Sequence, residues 1–248
     1  MNALDLEVLK SRRQGMSGLV AAVADIHGCF QAARTAINVI ETLGVSAVFL
    51  GDYIDRGPSS HKTIDILMVA KKEHPDWTFL LGNHEQMLLE AIETVFKYKV
   101  APRLGAAAEY LAAGKFPREH EFFLRCLETF KEMENLLFVH GGIQHYPHLP
   151  VQAQPLQELL WSYEISPDWR GKKIVRGHEI VRTPTEHRTH ISLNTGCGCQ
   201  GPLTVGIVQD TPEVSNRLLG YFQISEYGTL IRHSNLQSPL IMTHQVIT

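Results

Sequence analysis

The sequence lacks long apolar runs and an excess of either charge sign. Its first apolar run, residues 19–24, follows a basic stretch in the order of a signal peptide, but Asp25 and His27 end it well short of the roughly 18 apolar residues that a membrane helix needs. The chain carries 23 Lys and Arg against 26 Asp and Glu, so it has no basic field for nucleic acid. We therefore expect neither a membrane nor a nucleic-acid partner.

Cysteine is scarce, and repeats and low-complexity segments are absent. The four cysteines do not form the framework of a secreted protein, and Cys197 and Cys199 are too close in sequence for an ordinary disulfide. Reduced thiols, and with them a cytoplasmic location, are the expectation. With 44% hydrophobic residues, the 248-residue chain can bury a large core, which predicts a single domain over residues 1–248.

What the sequence does contain is a series of short apolar runs that stop at polar side chains and glycines. The runs at residues 19–24, 47–50, 77–81, 136–139 and 173–175 are typical of buried strands. Apolar residues spaced by three and four after the first run, from Ala32 to Leu43, predict an amphipathic helix, and a second is predicted after Pro58, which suits a first helical turn. If the strands they connect are parallel, the strand ends share one edge of a sheet.

The remaining segments predict structure that surrounds this edge. Residues 1–17 are interpreted as an N-terminal arm, and residues 86–134, which are helical in pattern but broken by Pro and Gly, as a helical insertion that flanks the site. Beyond residue 190 the chain predicts short strands joined by turns. The sequence therefore predicts alternating helices and strands in the first half of the chain and mostly antiparallel strands in the second half.

The polar side chains that follow the five runs are those of metal and phosphate sites. They are Asp25 and His27; Asp52, Asp55 and Arg56; Asn83 and His84; His140; and Arg176 and His178. Carboxylate, amide and imidazole ligands suit manganese, iron or zinc, and a guanidinium can bind two phosphate oxygens at once. A lone histidine after a strand is more often structural, but five such endings together predict metal-dependent phosphoester chemistry.

The motifs resemble those of a known family. Asp-x-His-Gly from Asp25, Gly-Asp-x-x-Asp-Arg-Gly from Gly51, Gly-Asn-His-Glu from Gly82, His-Gly-Gly from His140 and Gly-His before Glu179 are similar to the phosphoprotein phosphatases, within the calcineurin-like dinuclear metallophosphoesterases. The resemblance spans residues 20–208 and is greatest to the small bacterial and phage branch. It implies an α/β fold in which two mixed β-sheets pack as a sandwich flanked by helices, and hydrolysis of phosphoserine and phosphothreonine in a phosphoprotein or phosphopeptide.

The resemblance also implies two divalent metal ions, most readily manganese, with iron or zinc as alternatives. A hydroxide that bridges two ions about 3.5–4 Å apart would then attack phosphorus directly. By motif position, the first ion would be bound by Asp25 and His27, both ions by Asp52, and the second ion by Asn83, His140 and His178.

Three further residues receive catalytic roles from the same resemblance. His84 would protonate the leaving alkoxide, and Asp55 would accept the other ring N–H of His84 and so select its tautomer. Arg56 would hold the phosphoryl oxygens, with a salt bridge to a nearby Asp as its alternative role. Glu85, next to His84, is expected to support the turn rather than to bind metal.

The sequence departs from the branch at two positions near the predicted site. The branch has an Arg, its second phosphate ligand, where this chain has Tyr163, so Arg176 or Arg170 is a candidate to replace that charge and Tyr163 to supply a hydrogen bond. Glu179 stands where the branch has Thr, and it would either repel phosphate or attract a basic peptide.

Two alternative functions stay open on sequence alone. Hydrolases of dinucleoside polyphosphates share the motif around Asp52, although Gly-Asn-His-Glu and His-Gly-Gly favour the phosphatases. An inactive, metal-retaining binding module is the other alternative, which the presence of both His84 and Asp55 disfavours. The remaining histidines are expected to be solvated or locally hydrogen-bonded; they are His61, His74, His120, His145, His148, His187 and His190.

Overall fold

The computed structural model describes residues 18–98, 110, 116–212 and 217–233. In chain order the strands are β1 (Leu19–Val23), β2 (Ser46–Phe49), β3 (Thr78–Phe79), β4 (Phe130–Glu132), β5 (Leu136–Val139), β6 (Lys173–Arg176), β7 (Thr185–Glu186), β8 (His190–Ser192), β9 (Leu203–Gln209), β10 (Leu218–Ile224) and β11 (Leu230–His233). The α-helices are α1 (Phe30–Leu43), α2 (Ser60–Glu73), α3 (Asn83–Tyr98), α4 (Arg118–Arg125) and α5 (Leu156–Trp161).

The strands form two mixed sheets. The first has the order β11-β10-β9-β1-β2-β3, and the second has the order β4-β5-β6-β8-β7. In the first sheet β1, β2 and β3 are parallel, with Val23 opposite Phe49, whereas β9, β10 and β11 are antiparallel. The predicted α/β fold of two mixed sheets is confirmed.

The second sheet combines both kinds of strand pairing. Its three central strands, β5, β6 and β8, are parallel, whereas its edge strands β4 and β7 pair antiparallel with their neighbours. Because β9, β10 and β11 of the first sheet are antiparallel as well, most strand pairs in the second half of the chain are antiparallel, as predicted. Residues 140–172 and 177–189 connect the three parallel strands, and connections of that length can carry the chain back across the sheet, which a tight hairpin cannot do. The sequence of a short apolar strand gives no direct sign of whether the strand pairs in parallel or antiparallel with its neighbour.

The inner faces of the two sheets pack against each other. Val20, Ala22 and Val48 of the first sheet belong to one buried cluster with Phe138 and Val175 of the second. The alternate residues of β1 and β2, such as Val23 and Phe49, pack in a separate cluster with residues of the helices. Because both faces of the central strands are covered, these strands appear in the sequence as continuous apolar runs.

Helix α1 follows directly from its apolar spacing, whereas α2 begins later than predicted. The buried face of α1 is formed by Ala32, Ala33, Ala36, Ile37 and Ile40, and the helix ends at Gly44, which adopts the left-handed conformation. Helix α2 begins at Ser60, so Pro58 precedes the helix. The backbone N–H groups of Gly57 and Ser59 donate to the carbonyls of His27 and Gly28, which holds this segment in the loop.

The predicted insertion is helical only in part. Most of α3, which begins at Asn83, and all of α4 lie within residues 86–134, but residues 130–132 form β4, an edge strand in which Phe130 pairs with Val139. The predicted arm (residues 1–17) and the predicted breaks at residues 102, 105 and 114 lie outside the described residues. The extension of one domain over residues 1–248 stays a prediction. Within the described ranges, no helix is both long and apolar enough to cross a membrane.

Candidate metal centre and active site

Six of the predicted ligand residues lie together where strands of both sheets end. Three strands of the first sheet lead to Asp25, His27, Asp52 and Asn83, and two strands of the second sheet lead to His140 and His178. The carboxyl ends of β1, β2, β5 and β6 meet at one edge of the sandwich, because each of these strands is parallel to its neighbour. The predicted convergence of these residues is therefore present in the fold.

Asp52 lies at the centre of this group. Its Oδ2 atom is 3.7 Å from Nε2 of His27 and 3.9 Å from Nε2 of His84, and its Oδ1 atom is 3.4 Å from Nε2 of His140. The two oxygens of the carboxylate thus face different histidines. This is the position from which one carboxylate can contact two ions.

Hydrogen bonds outside the group orient two of the histidines. The Nδ1 atom of His27 is 2.9 Å from the Ile54 carbonyl, and the Nδ1 atom of His140 is 2.9 Å from the Leu50 carbonyl. A carbonyl only accepts, so Nδ1 carries the proton in each ring. In a neutral ring the Nε2 lone pair then faces the group, which is how metal-binding histidines are commonly held.

Acceptor atoms converge in the group without enough protons to satisfy them. The amide oxygen of Asn83 is 2.9 Å from Nε2 of His140, 3.2 Å from each carboxylate oxygen of Asp52 and 3.3 Å from Nδ1 of His178. The Nε2 atom of His27 is buried and has no hydrogen-bond partner among the described residues. Turning the Asn83 amide would supply only its two N–H donors, whereas cations would satisfy all of these acceptors, so the donor set fits divalent metal ions.

Asp25 is positioned by residues of the second sheet. Its oxygens accept from the backbone N–H of His178 at 3.1 and 3.2 Å, and its Oδ2 accepts from the side-chain amide of Asn194 at 2.7 Å. Asn194 also donates to the His178 carbonyl at 3.0 Å. Asn194 is not among the predicted site residues, although its place two residues after β8 matches the pattern of the other strand ends.

The backbone of the site is strained. Among the described residues, six that are not glycine have positive φ, and five of these are candidate site residues: His27, Asp52, Asp55, Arg56 and His178. Such conformations are costly for side chains and concentrate at functional sites. Close approach of the loops also requires glycine at two positions. A Cβ on Gly82 or on Gly177 would lie 2.2 Å from Oδ1 of Asp52 or of Asp25, respectively.

Glu85 holds the loop that carries Asp52. Its buried carboxylate accepts from the backbone N–H groups of Asp52, Tyr53 and Gly82 at 2.8 to 3.0 Å. Burial, together with the neighbouring charge of Asp52, raises the pKa of Glu85 to about 7 in the metal-free protein. The interpretation that Glu85 supports the turn is confirmed by these contacts.

Burial and mutual charges set the ionisation of the group. Burial lowers the pKa values of His27 and His178 to about 4, so both rings are neutral at neutral pH, and it raises the pKa of Asp25 to about 6. Burial disfavours charge on His140 and Asp52 too, but their attraction raises the pKa of His140 to about 9 and lowers that of Asp52. His27, His178 and Asp52 are therefore in the forms that bind metal, whereas His140 has to release a proton when an ion binds.

His84 and Arg56 lie beside this group. The Nδ1 atom of His84 is 2.5 Å from Oδ2 of Asp55, as predicted for a ring oriented by that carboxylate. Burial opposes protonation of His84, but the Asp55 hydrogen bond and the Asp52 charge raise its pKa above the usual value. Arg56 is exposed, and its Nη1 donates to Sγ of Cys199 at 3.2 Å, so its described contact is with a thiol rather than with the predicted alternative, an Asp.

These residues open onto a pocket of about 290 Å³. It is lined by Asp52, Arg56, Asn83, Tyr163, His178, Glu179 and Ile180. Tyr163 is 59% exposed, and its ring centroid is 4.4 Å from that of His178, so it forms part of the rim. A larger cavity, of about 510 Å³, is lined by Arg170, Lys172 and Lys173 and by none of the candidate metal ligands; its size alone gives no reason to place the chemistry there.

The two arginines proposed to replace the missing cation do not line the pocket. Arg176 is fully buried, and its Nη2 atom donates to the Tyr163 carbonyl at 2.7 Å and pairs with the Glu179 carboxylate. Its charge therefore neutralises Glu179, and a direct contact of Arg176 with phosphate stays a prediction. Arg170 lines the larger cavity and donates to the Pro167 carbonyl, which does not support its proposed role.

The chain is similar both to protein phosphatases and to a hydrolase of dinucleoside tetraphosphates. The chain is 25% identical over 206 residues to serine/threonine-protein phosphatase 2 of Salmonella typhimurium, covering 73% of this chain and 89% of that protein. It is 27% identical over 218 residues to the asymmetrical bis(5'-nucleosyl)-tetraphosphatase PrpE of Geobacillus thermodenitrificans, covering 73% and 87%. Serine/threonine-protein phosphatase PP2A-like PPG1 of Candida albicans is 38% identical over 71 residues, but the match spans only 27% of this chain and 16% of that protein.

A solved structure and a family profile agree with the architecture. The crystal structure of a candidate diadenosine tetraphosphatase superposes with a TM-score of 0.63 at 22% identity, covering 84% of this chain and 93% of the other, which shows the fold. The profile of the calcineurin-like phosphoesterases matches residues 18–200. With its two mixed sheets and its His and Asp residues arranged as in a dinuclear site, the chain belongs to the calcineurin-like phosphoesterase family.

Proposed function

We propose that the protein is a metal-dependent phosphomonoester hydrolase of the serine/threonine protein phosphatase type. The observation that carries this proposal is the His84–Asp55 pair, 2.5 Å apart, beside six converging ligand residues, three of which line an open pocket. A general acid has a use only where a leaving group must be protonated. The pair therefore supports hydrolysis rather than metal storage.

The metal ions of this proposal would be held by the six residues already described. Asp25 and His27 would bind one ion, Asn83, His140 and His178 the other, and the central Asp52 both; manganese is the proposed metal. Two bound ions supply a nucleophile from water and neutralise charge on the phosphoryl group. The protein contributes fixed tautomers at His27 and His140, through the Ile54 and Leu50 carbonyls, and a loop held by Glu85.

His84 and Arg56 would act on the substrate itself. His84, protonated because Asp55 raises its pKa, would donate its Nε2 proton to the departing alkoxide. Arg56 lines the pocket and is exposed, so its guanidinium can turn from Cys199 toward two phosphoryl oxygens. The exposed rim residues Tyr163 and Ile180 would contact the segments that flank a phosphorylated residue.

A substrate panel tests this proposal. With manganese supplied, a phosphoserine or phosphothreonine peptide should be hydrolysed with a higher kcat/KM than diadenosine tetraphosphate, and the His84→Gln variant should lose most of the peptide activity. Slow hydrolysis of every phosphopeptide alongside rapid hydrolysis of the dinucleotide would overturn the substrate assignment. No release of p-nitrophenol from p-nitrophenyl phosphate with any of manganese, iron or zinc would overturn the enzyme assignment and leave the inactive binding module.

Dinucleoside polyphosphate hydrolysis is the second candidate. The observation that favours it is the match to the tetraphosphatase PrpE, which covers 87% of that protein. The same ligand residues would serve in either reaction, because both replace a phosphate–oxygen bond by one to water. Product analysis separates the two functions, since the dinucleotide yields two nucleotides and the peptide yields inorganic phosphate.

We also propose a cytoplasmic location. All four cysteines are free thiols, two buried and two exposed, which supports a reducing compartment. Fractionation of the native cell, with detection of the protein in the cytoplasmic fraction, is the corresponding measurement.

A further inference from the structure

Three side chains outside the catalytic pocket form a second group of potential metal ligands. His61 and Asp65 lie one turn apart near the beginning of α2, and His120 lies in the first turn of α4. Their ligand atoms all lie within 4.8 Å of one another. No sequence pattern links these three residues, and each of the two histidines was expected to be solvated or locally hydrogen-bonded.

Asp65 joins the two histidines. Its Oδ2 is 3.1 Å from Nδ1 of His61, and its Oδ1 is 2.9 Å from Nε2 of His120, while the two imidazole centroids are 4.5 Å apart. Ligands at zinc bond lengths of about 2.0–2.2 Å in a tetrahedron lie roughly 3.4 Å apart. The present separations are slightly shorter, so small side-chain rotations would open the space for an ion.

The burial of the three side chains suits an ion site with one open side. His120 is buried, whereas the Asp65 side chain is 53% exposed and that of His61 is 37% exposed. Metal can therefore enter from solvent, and water can complete the coordination. Burial, the largest influence, lowers the pKa of His120, which keeps the ring neutral and able to accept an ion at neutral pH.

A second observation is the outer partner of His120. The hydroxyl of Tyr110, itself buried, is 2.9 Å from Nδ1 of His120. In the metal-free state the hydroxyl can donate to Nδ1, while Nε2–H donates to Asp65. When Nε2 binds an ion, Nδ1–H can donate to the hydroxyl oxygen instead, so one tyrosine serves both states, as outer partners of metal-binding histidines do.

We infer that His61, Asp65 and His120 form a further metal site that takes one zinc ion. Two imidazoles and a carboxylate with an open fourth position are a ligand set that zinc accepts, and zinc binds such ligands more tightly than manganese does. The ion joins α2 to α4. It therefore stabilises the helical wall on that side of the fold without taking part in hydrolysis.

The test is the number of zinc ions retained per chain after equilibration in a zinc buffer and gel filtration. Wild-type protein should retain one more ion than the His61→Ala and Asp65→Ala variants, both of which alter partly exposed side chains. The matched control is His74→Ala. That histidine belongs to another group of potential ligands, with Glu41 and Glu73, in which all three side chains are at least partly exposed, and its loss should not change the count.

A difference of one ion is independent of how many ions the catalytic group holds. If that group binds two, the expected counts are three and two, and if it binds none, they are one and zero. Thermal unfolding gives a second readout, because zinc should raise the Tm of wild-type and His74→Ala protein by more than that of the His61→Ala variant. Equal counts in wild-type protein and both site variants, or equal zinc-induced shifts in Tm, would overturn the inference.

Discussion

The imidazole of His84 and the carboxylate of Asp55 are in hydrogen-bond contact, 2.5 Å apart, although the two residues are 29 positions apart in the chain. The contact fixes the proton of His84 on Nδ1 and turns Nε2 toward the pocket, where it lies 3.9 Å from Oδ2 of Asp52. Backbone contacts hold both partners: the Asp55 N–H donates to Ser60 and the His84 N–H to Asp52. In this geometry a protonated His84 presents its Nε2–H, a proton donor, beside the candidate metal ligands.

Replacing His84 with Gln should slow alkyl ester hydrolysis far more than aryl ester hydrolysis. A serine alkoxide is a poor leaving group that needs the proton, whereas p-nitrophenolate leaves without it. We expect kcat for a phosphoserine peptide to fall by about 10²–10⁴-fold, with a much smaller loss on p-nitrophenyl phosphate. Steady-state kinetics on both substrates measures the difference. Equal losses on the two substrates would contradict the general-acid role.

The Asp55→Asn substitution should move the alkaline limb of the pH–rate profile to lower pH. Burial lowers the pKa of His84, and the Asp55 hydrogen bond is the largest influence that raises it above 6.5. Removing that influence lets the ring lose its proton at lower pH, so the acid form disappears sooner as pH rises. The measurement is kcat against pH for a phosphoserine peptide, with Asp168→Asn, an exposed carboxylate, as the control. An unmoved alkaline limb would contradict this role for Asp55.

Removal of metal should abolish activity and lower stability together. Without cations, the acceptors around Asn83 and the unpaired Nε2 atom of His27 are left in a buried site. Chelator-treated protein should be inactive, unfold at lower temperature, and recover both properties on addition of manganese. Asp52→Asn should retain less metal after gel filtration, as measured by elemental analysis. Full activity of a protein shown to contain no metal would refute the proposal.

Glu85→Gln should destabilise the protein without removing any ligand. The substitution weakens the hydrogen bonds that a buried carboxylate accepts from three backbone N–H groups. At least one of these N–H groups then faces an NH₂ group, so we expect a loss of about 1.5–3 kcal/mol in the free energy of unfolding. Urea denaturation of the metal-free protein measures it. Glu90→Gln, at an exposed position on the same helix where the carboxylate accepts from the Gln86 side chain, should change stability by less than about 0.5 kcal/mol.

The Arg176–Glu179 pair gives a test of the second phosphate contact. If Glu179 holds Arg176 away from phosphate, Glu179→Gln should release the guanidinium and lower KM for p-nitrophenyl phosphate, while Arg176→Ala in that background should reverse the gain. If Arg176 only neutralises Glu179, the Glu179→Gln variant should have the same KM as the wild-type protein. Unchanged turnover of the Arg176→Ala single variant would rule out its direct contact with substrate.

Much of the site was predictable from the sequence because each strand end can be recognised from a short local pattern of residues. The apolar runs ending at Asp25, Asp52, Asn83, His140 and His178 are local patterns, and glycines beside them indicate the close approach of loops that Gly82 and Gly177 permit. The helices of the first half follow from their apolar spacing in the same way. Residue type and order, together with the resemblance of these motifs to the calcineurin-like family, therefore predicted the fold class and proposed the ligand set.

Only the tertiary structure decided which side chains are available and which are already engaged. Arg176 and Glu179 neutralise each other, Asn194 positions Asp25, and β5, β6 and β8 are parallel, because long connections and contacts between distant segments set these relationships. The contact of His61 and His120 with Asp65 depends likewise on how α2 and α4 pack. Local sequence patterns report which face of an element is buried, but not which distant element covers it.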